Sequence, residues 1–168
     1  LQRTGEANAE LFGVWAVLEP NVYGKDSDNL TAMTHSTEKG VFAPYWNKKN
    51  GTLALYSCNN LDQPWYTYSR DTKEESASAV TAYKDRKGLT FTISSLSVPA
   101  IVNGKAIGVV GVDLSADFLN SIVNNIDAFD GNSTMALIGS TGNIQAITGK
   151  PDALGTPYED MVNDGRQL

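Results

Sequence analysis

The feature that most constrains the fold is a pair of long apolar runs, residues 89–102 and 105–113, joined by Asn103-Gly104. An Asn-Gly pair between apolar runs is the strongest short-range signal for a β-hairpin, because both residues tolerate the positive φ angles of a tight turn. Within the second run, residues 107–112 are typical of a strand buried on both faces, and the run ends at Asp113. The sequence therefore predicts a long hairpin with a carboxylate at the rim of the core.

The other elements follow from periodicity and turn residues. Apolar spacing predicts a helix over residues 5–19, ended by Pro20, and a second helix reaching to about residue 126 with Ser115 as N-cap. Shorter hairpins are predicted over residues 41–56 and 134–147. We expect loops at 21–40 and 59–75, both rich in polar residues, and an irregular tail from 150. Consecutive strands that can pair antiparallel, together with two helices, indicate an α+β fold.

Composition excludes several classes of protein. The 168 residues are 41% hydrophobic, enough for the core of one domain or of one domain and the beginning of another. The 13 Lys and Arg against 19 Asp and Glu give a net charge of -6, which disfavours nucleic-acid binding. No apolar run approaches the roughly 18 residues of a membrane span, and no signal peptide is recognisable, so we expect a soluble piece. Leu1-Gln2-Arg3 is compatible with the cut edge of a longer protein.

Catalytic and metal-binding patterns are weak. Cys58 and His35 are the one cysteine and the one histidine, and no local signature surrounds either, although a small Cys/His hydrolase stays open as an alternative. The run Asp26-Ser27-Asp28-Asn29 resembles the start of a calcium loop but lacks the later Gly and Glu. We expect no catalytic residue, no metal and no cofactor.

The residues that suggest binding are Asp113 and the aromatic residues Trp65, Tyr66 and Tyr83. A carboxylate at the core rim needs hydrogen bonds or a cation. Aromatic faces attract ammonium groups, by roughly 0.5 to 2 kcal/mol. Together these residues would suit a small organic cation. Two alternatives stay open: Asp113 caps the following helix, and the aromatic residues pack a loop onto the sheet.

An ordered set of short motifs carries a family resemblance over about residues 5–126. The motifs are Val14-Trp15-Ala16-Val17-Leu18-Glu19-Pro20-Asn21, Gly24-Lys25-Asp26, Gly40-Val41-Phe42-Ala43-Pro44-Tyr45-Trp46, Trp65-Tyr66, Ala82-Tyr83, Val98-Pro99, Asn103-Gly104-Lys105 and Gly108-Val109-Val110-Gly111-Val112-Asp113-Leu114. This set resembles the extracytoplasmic Cache (PAS-like, PDC) sensor domains of bacterial methyl-accepting chemotaxis proteins. Residues 135–155 are similar to the opening strands of a second, membrane-proximal module.

The resemblance implies a PAS-like (Cache/PDC) central antiparallel sheet with a long N-terminal helix. It divides the chain into a ligand-sensing domain, residues 1–128, and the partial start of a second module or a C-terminal extension, residues 129–168. It implies ligand binding by Trp65, Tyr66, Tyr83 and Asp113. Amino-acid-binding members carry an Arg two residues before the Trp-Tyr pair, where this chain has Gln63. In those members the Arg is the bidentate anchor for the carboxylate of the ligand, and this chain lacks it. We therefore expect an amine, a quaternary ammonium compound or an amino acid held unconventionally.

The resemblance also implies the setting: the periplasmic part of an inner-membrane chemotaxis receptor, homodimeric when intact, with a small-molecule ligand, no nucleic-acid partner and no enzymatic activity. The same module on a histidine kinase or a cyclic-dinucleotide enzyme is an alternative that only further sequence can separate. A purely structural or dimerising module, filled by its own side chains, is another.

Overall fold

The computed structural model describes residues 1–30, 34–84, 89–126 and 133–163. The helices are α1 (Gln2–Ala7), α2 (Pro64–Thr72), α3 (Ala116–Asn124) and α4 (Tyr158–Asn163). The strands are β1 (Leu11–Leu18), β2 (Pro44–Asn47), β3 (Ala54–Ser57), β4 (Ser76–Ala77), β5 (Thr81–Lys84), β6 (Thr90–Val102), β7 (Lys105–Ser115), β8 (Ala136–Ile138) and β9 (Ile144–Ile147). Short 3-10 helices occupy Asp26–Asn29 and Pro151–Ala153.

The chain forms two compact units, of which the first comprises Leu1–Ser76 and Ser95–Asp113. Its sheet has the strand order β3-β2-β1-β7-β6. Strands β1 and β2 pair antiparallel, with Trp15 opposite Tyr45, and β2 pairs antiparallel with β3. Direct cross-strand partners point to the same face of a sheet, so these two aromatic side chains share a face.

The second unit comprises Ala77–Ser94 and Leu114–Leu168. In this unit β5 pairs antiparallel with the beginning of β6, and β8 pairs antiparallel with β9. Helix α3 packs into a core whose buried members are Val80, Ala116, Leu119, Val123 and Ala146. A second cluster consists of Ile144, Ile147 and Met161.

The predicted α+β class with a central antiparallel sheet is confirmed, and so are the two elements with the strongest local signals. Asn103 and Gly104, at φ 50° and 74°, form the turn between β6 and β7. Ser115 caps α3, because its Oγ accepts a hydrogen bond from the backbone N–H of Phe118 at 3.1 Å.

The predicted helix over residues 5–19 is wrong, and the long N-terminal helix that the resemblance implies is not shown by the described residues. Helix α1 ends at Ala7, and Leu11–Leu18 form strand β1. This strand lies between β2 and β7 and is covered on both faces, with Val14 at 4% and Trp15 at 2% exposure. A strand buried on both faces lacks alternation, and its continuous apolar run matches helical spacing by coincidence.

The predicted loop over residues 59–75 and the irregular tail from 150 also need correction. Pro64 begins α2, and Lys73 ends it in the left-handed region at φ 63°. Pro at the first helical position is a start signal that the polar composition of this segment obscures. In the tail, the 3-10 helix and α4 are present.

The predicted domain boundary between residues 128 and 129 lies outside the described residues and stays a prediction. Among the helices that the structure describes, none has the length and apolar character needed to cross a bilayer.

Candidate functional site

Asp113, near the end of β7, is buried and hydrogen-bonded by three side chains from other strands. It is 2% exposed. Its Oδ1 accepts from Trp15 Nε1 at 3.0 Å and from Ser95 Oγ at 2.7 Å, and its Oδ2 accepts from the Tyr45 hydroxyl at 2.5 Å. These donors lie on β1, β6 and β2. Asp113 is therefore not the cap of α3, the alternative that the sequence left open, because Ser115 has that role.

The electrostatics of this carboxylate favour a cation. Among the described residues, the three side chains that bond it are uncharged. Burial raises the pKa of Asp113 above its ordinary value, and hydrogen bonds from Tyr45, Ser95 and Trp15 offset only part of the rise. A carboxylate has about four acceptor positions, so Oδ2 can accept one more donor. A positively charged N–H group would supply both the hydrogen bond and the opposite charge.

Two glycines make room for the aromatic donors. A Cβ on Gly13 would lie 2.5 Å from Cε2 of Tyr45, and a Cβ on Gly111 would overlap Cζ2 of Trp15. Any larger residue at either position would displace the ring beside it. The strands thus carry glycine at the positions where the rings that hold Asp113 lie against the backbone.

Trp65 extends the aromatic surface next to Asp113. Its ring contacts Trp15 edge-to-face, with centroids 4.8 Å apart, and its exposure is 8%. Ser97 holds this part of α2 on β6, since its Oγ donates to the Trp65 carbonyl at 2.7 Å and its own carbonyl accepts from Ser69 Oγ at 3.4 Å. The structure therefore brings Trp65 and Asp113 to one site, with Trp15 between them.

Tyr66 lies beside Trp65, but its hydroxyl is already engaged. The ring centroids of Trp65 and Tyr66 are 5.9 Å apart. The Tyr66 hydroxyl donates to Glu19 Oε1, just beyond the end of β1, and the Arg70 guanidinium lies 5.3 Å from the ring centroid. Burial and the Glu19 carboxylate raise the pKa of Tyr66 well above its usual value. Tyr66 therefore fastens α2 to the end of β1.

The fourth predicted residue, Tyr83, belongs to the second unit. It lies on β5 opposite Phe91, with centroids 6.1 Å apart. Its ligand role stays a prediction. Gln63, at the position of the family's Arg, is an exposed residue preceding α2, and its Nε2 donates to Asp62 at 3.4 Å.

The hydrolase alternative conflicts with the state of Cys58. This cysteine is 5% exposed. Burial raises the pKa of its thiol, and the charge of Asp113 raises it further, whereas a nucleophilic cysteine needs a lowered pKa. His35 packs against the Phe42 ring at 5.8 Å between centroids.

The acidic run from Asp26 forms a turn that bonds its own backbone. Asp26 Oδ1 accepts from the backbone N–H of Asn21 at 3.0 Å, and Asn21 Oδ1 accepts from that of Asp26 at 3.1 Å. Side-chain bonds to nearby backbone groups are the ordinary explanation for Asn and Asp in a turn of this composition. Within the described ranges, no three His, Cys, Asp or Glu residues are placed to hold a metal.

Sequence reasoning missed Trp15, Tyr45 and Ser95, the three residues that bond Asp113. Trp15 falls within the helix that apolar spacing predicts. Ser95 alternates with Ser97 in a long strand, a period-two pattern of polar residues that would have indicated a second polar face. Tyr45 gave no local signal.

Comparison with known proteins defines the class of protein. Residues 1–121 match the family described as "Methyl-accepting chemotaxis protein-like, first PDC sensor domain". The chain belongs to this family of sensor domains. It is therefore a sensor domain, and the part that such a domain plays in proteins of this family is non-enzymatic.

A curated relative resembles the chain in sequence, and two solved structures resemble it in fold. Methyl-accepting chemotaxis protein TlpQ of Pseudomonas aeruginosa is 26% identical over 155 residues, covering 81% of this chain and 21% of that protein. The extracellular domain of the putative histidine kinase mmHK1S-Z3 has a TM-score of 0.77 at 24% identity, covering 99% of this chain and 62% of that one. The ligand-binding domain of the Campylobacter jejuni chemoreceptor Tlp3, in complex with L-valine, has a TM-score of 0.55 at 17% identity, covering 98% and 55%.

The chain is shorter than the proteins it matches. It spans about a fifth of TlpQ and less than two thirds of the sensor domain of mmHK1S-Z3. The two structures, both below 25% identity, show the shared fold.

Proposed function

We propose that the chain is the periplasmic ligand-binding part of a methyl-accepting chemotaxis receptor in the inner membrane, and that it binds a small organic cation at Asp113. The observation that carries the proposal is a buried carboxylate held by three uncharged donors. A buried charge without a countercharge is costly, and a bound ammonium group would compensate it. The adjacent rings of Trp15 and Trp65 supply aromatic surface for the organic part of the ligand.

Among the three expected ligand classes, the site favours the two that need no carboxylate anchor. An amine can both compensate the charge of Asp113 and donate an N–H to it, and a quaternary ammonium compound can compensate the charge without a hydrogen bond. The position of the family's carboxylate anchor holds an exposed Gln63. Arg70, one turn after Tyr66, pairs with Asp71 through Nε at 2.6 Å and Nη2 at 3.0 Å. Its guanidinium is thus already bonded to a carboxylate on its own helix.

A thermal-shift titration tests the cation site. The probes are n-butylamine, choline, glycine betaine, L-valine and acetate. A ligand at 100 times its Kd stabilises a folded protein by about 2.7 kcal/mol, which raises the Tm of a chain this size by roughly 5 to 10 °C. We expect saturable shifts with n-butylamine or choline, and smaller ones or none with glycine betaine, L-valine and acetate, each of which carries a carboxylate.

Asp113→Asn and Trp65→Ala should remove the shift, and Asp117→Asn is the matched control. Asp117 is an exposed residue in the first turn of α3 and undergoes the same chemical change. A wild-type shift that survives both site substitutions would refute the assignment. If none of the probes shifts the Tm, the domain is not a cation sensor.

The signalling output depends on sequence that this chain does not contain. The family match favours a chemotaxis receptor, and the fold match to mmHK1S-Z3 keeps a histidine kinase as the second candidate. We propose that the intact receptor is a homodimer. A ligand transmits a signal only through its different affinity for two receptor states. Reading the cytoplasmic part of the protein decides between the two outputs.

A further inference from the structure

Helix α1 is attached to the hairpin formed by β2 and β3. Lys48, the residue after β2, donates from Nζ to the carbonyl of Asn8 at 3.1 Å and to that of Ala9 at 2.9 Å. These carbonyls directly follow α1, where a positive charge is favourable. On the helix itself, Gly5 is buried, and a Cβ there would lie 3.1 Å from both terminal methyl groups of Leu53.

The same hairpin carries the Tyr45 hydroxyl that bonds Asp113. Tyr45 and Lys48 are three residues apart, so the strand that reaches the buried carboxylate leads directly into the residue that holds the end of α1. The link between them is short. It is also held within the sheet, because Asn47 is 2% exposed and pairs with both Gly13 and Ala54.

We propose that the β2–β3 hairpin transmits the state of Asp113 to α1, through Tyr45 at one end and Lys48 at the other. This inference rests on the proposed cation site in one respect: the cation is what would share Oδ2 with the Tyr45 hydroxyl. When a charged donor occupies the second acceptor position of Oδ2, it draws electron density away from the bond that Tyr45 donates to the same oxygen. That bond weakens, and β2 is held less firmly at the carboxylate. Lys48 then shifts relative to the carbonyls that follow α1. Lys48 is in this scheme a positioning residue that never touches the ligand.

The test uses unliganded variants, so its result does not depend on the cation site. The coupling between Tyr45 and α1 can be refuted while cation binding is confirmed, and the reverse is equally possible. Tyr45→Phe removes the hydroxyl and keeps the ring. We expect this change to shift the backbone amide resonances of residues 2–9 in two-dimensional NMR spectra, by more than the spread of shifts over α3. Thermal melts recorded in parallel establish that each variant is folded.

The decisive comparison repeats Tyr45→Phe in two backgrounds. Lys48→Met removes the donors and keeps the aliphatic stem, and Lys48→Leu serves if that variant does not fold. Lys49→Met is the matched control, because it makes the same substitution at the next residue. The Lys49 ammonium group lies over the ring of Tyr56, 4.0 Å from its centroid. The proposal requires Tyr45→Phe to move the α1 resonances in wild type and in Lys49→Met, but not in the Lys48 variant. No movement of α1 in wild type, or equal movement in the Lys48 variant, overturns it.

Discussion

Asp113 places a carboxylate among uncharged donors in the interior, and this arrangement acts against folding at neutral pH. A carboxyl whose pKa is raised in the folded state binds a proton more tightly there than in the unfolded chain. Its stabilising contribution is complete below the ordinary value of 3.8 and is lost as the pH rises through the raised pKa. Above that window, the ionised group destabilises the unliganded protein.

Replacing this charge should therefore stabilise the unliganded protein. In urea unfolding, we expect Asp113→Asn to match wild type at pH 3.5 and to exceed its free energy of unfolding at pH 7, because the amide needs no countercharge. Asp117→Asn, at an exposed site, should show no such increase between the two pH values. An Asp113→Asn variant that is less stable than wild type at pH 7 would mean that the ionised carboxylate contributes to folding.

The distances along the chain explain why the site was only partly predicted. Asp113 and Trp65 belong to recognisable local motifs. The donors to Asp113 lie 98, 68 and 18 residues away from it along the sequence, at Trp15, Tyr45 and Ser95. Only the strand order brings them together, and that order depends on recognising β1 as a strand.

Among the elements, β1 shows how a small residue sets the position of a neighbouring strand's side chain. Gly13→Ala would drive a methyl group into the Tyr45 ring, because the new Cβ would lie 2.5 Å from Cε2. We expect a loss of about 1 to 3 kcal/mol in unfolding free energy from overpacking. Calorimetric titration should also show weaker binding of whichever amine shifts the wild-type Tm.

Gly5→Ala is the matched control for this change. The atoms nearest to its Cβ would be the methyl groups of Leu53 at 3.1 Å, the far end of a flexible side chain. We expect Gly5→Ala to keep the binding of the same amine. Equal affinities for Gly13→Ala and wild type would contradict the role assigned to Gly13.

The elements that sequence predicts correctly have local causes. The Asn103-Gly104 turn and the Ser115 cap are each determined by residues next to one another. Strand β1 and helix α2 were missed for opposite reasons. The first has so many apolar residues that periodicity cannot separate helix from strand, and the second has so few that its Pro64 start signal was outweighed.

For the whole molecule, the predicted boundary between residues 128 and 129 can be tested by truncation. In the second unit, Leu119 and Val123 of α3 pack with Val80 and with Ala146 of β9. A fragment ending at residue 126 loses Ala146 and the neighbouring Met135 and Leu154. We expect its unfolding free energy to fall by about 3 kcal/mol or more, and its Tm by roughly 10 °C.

Circular-dichroism melts of the fragment and of the full chain measure this difference. A fragment that melts cooperatively at the temperature of the full chain would instead show that residues 129–168 are a separate module, as the sequence predicts. Either result fixes the smallest piece suitable for ligand screening.

The number of donors on Asp113 has a consequence for ligand chemistry. With two donors on Oδ1 and one on Oδ2, the carboxylate can take a single additional N–H. Successive methylation of an ammonium nitrogen thus costs no contact at this carboxylate until the last hydrogen is replaced. From a primary to a tertiary amine, each added methyl group must therefore fit against the indole rings. We expect the number of methyl groups on the nitrogen, rather than the basicity of the amine, to determine the order of the affinities.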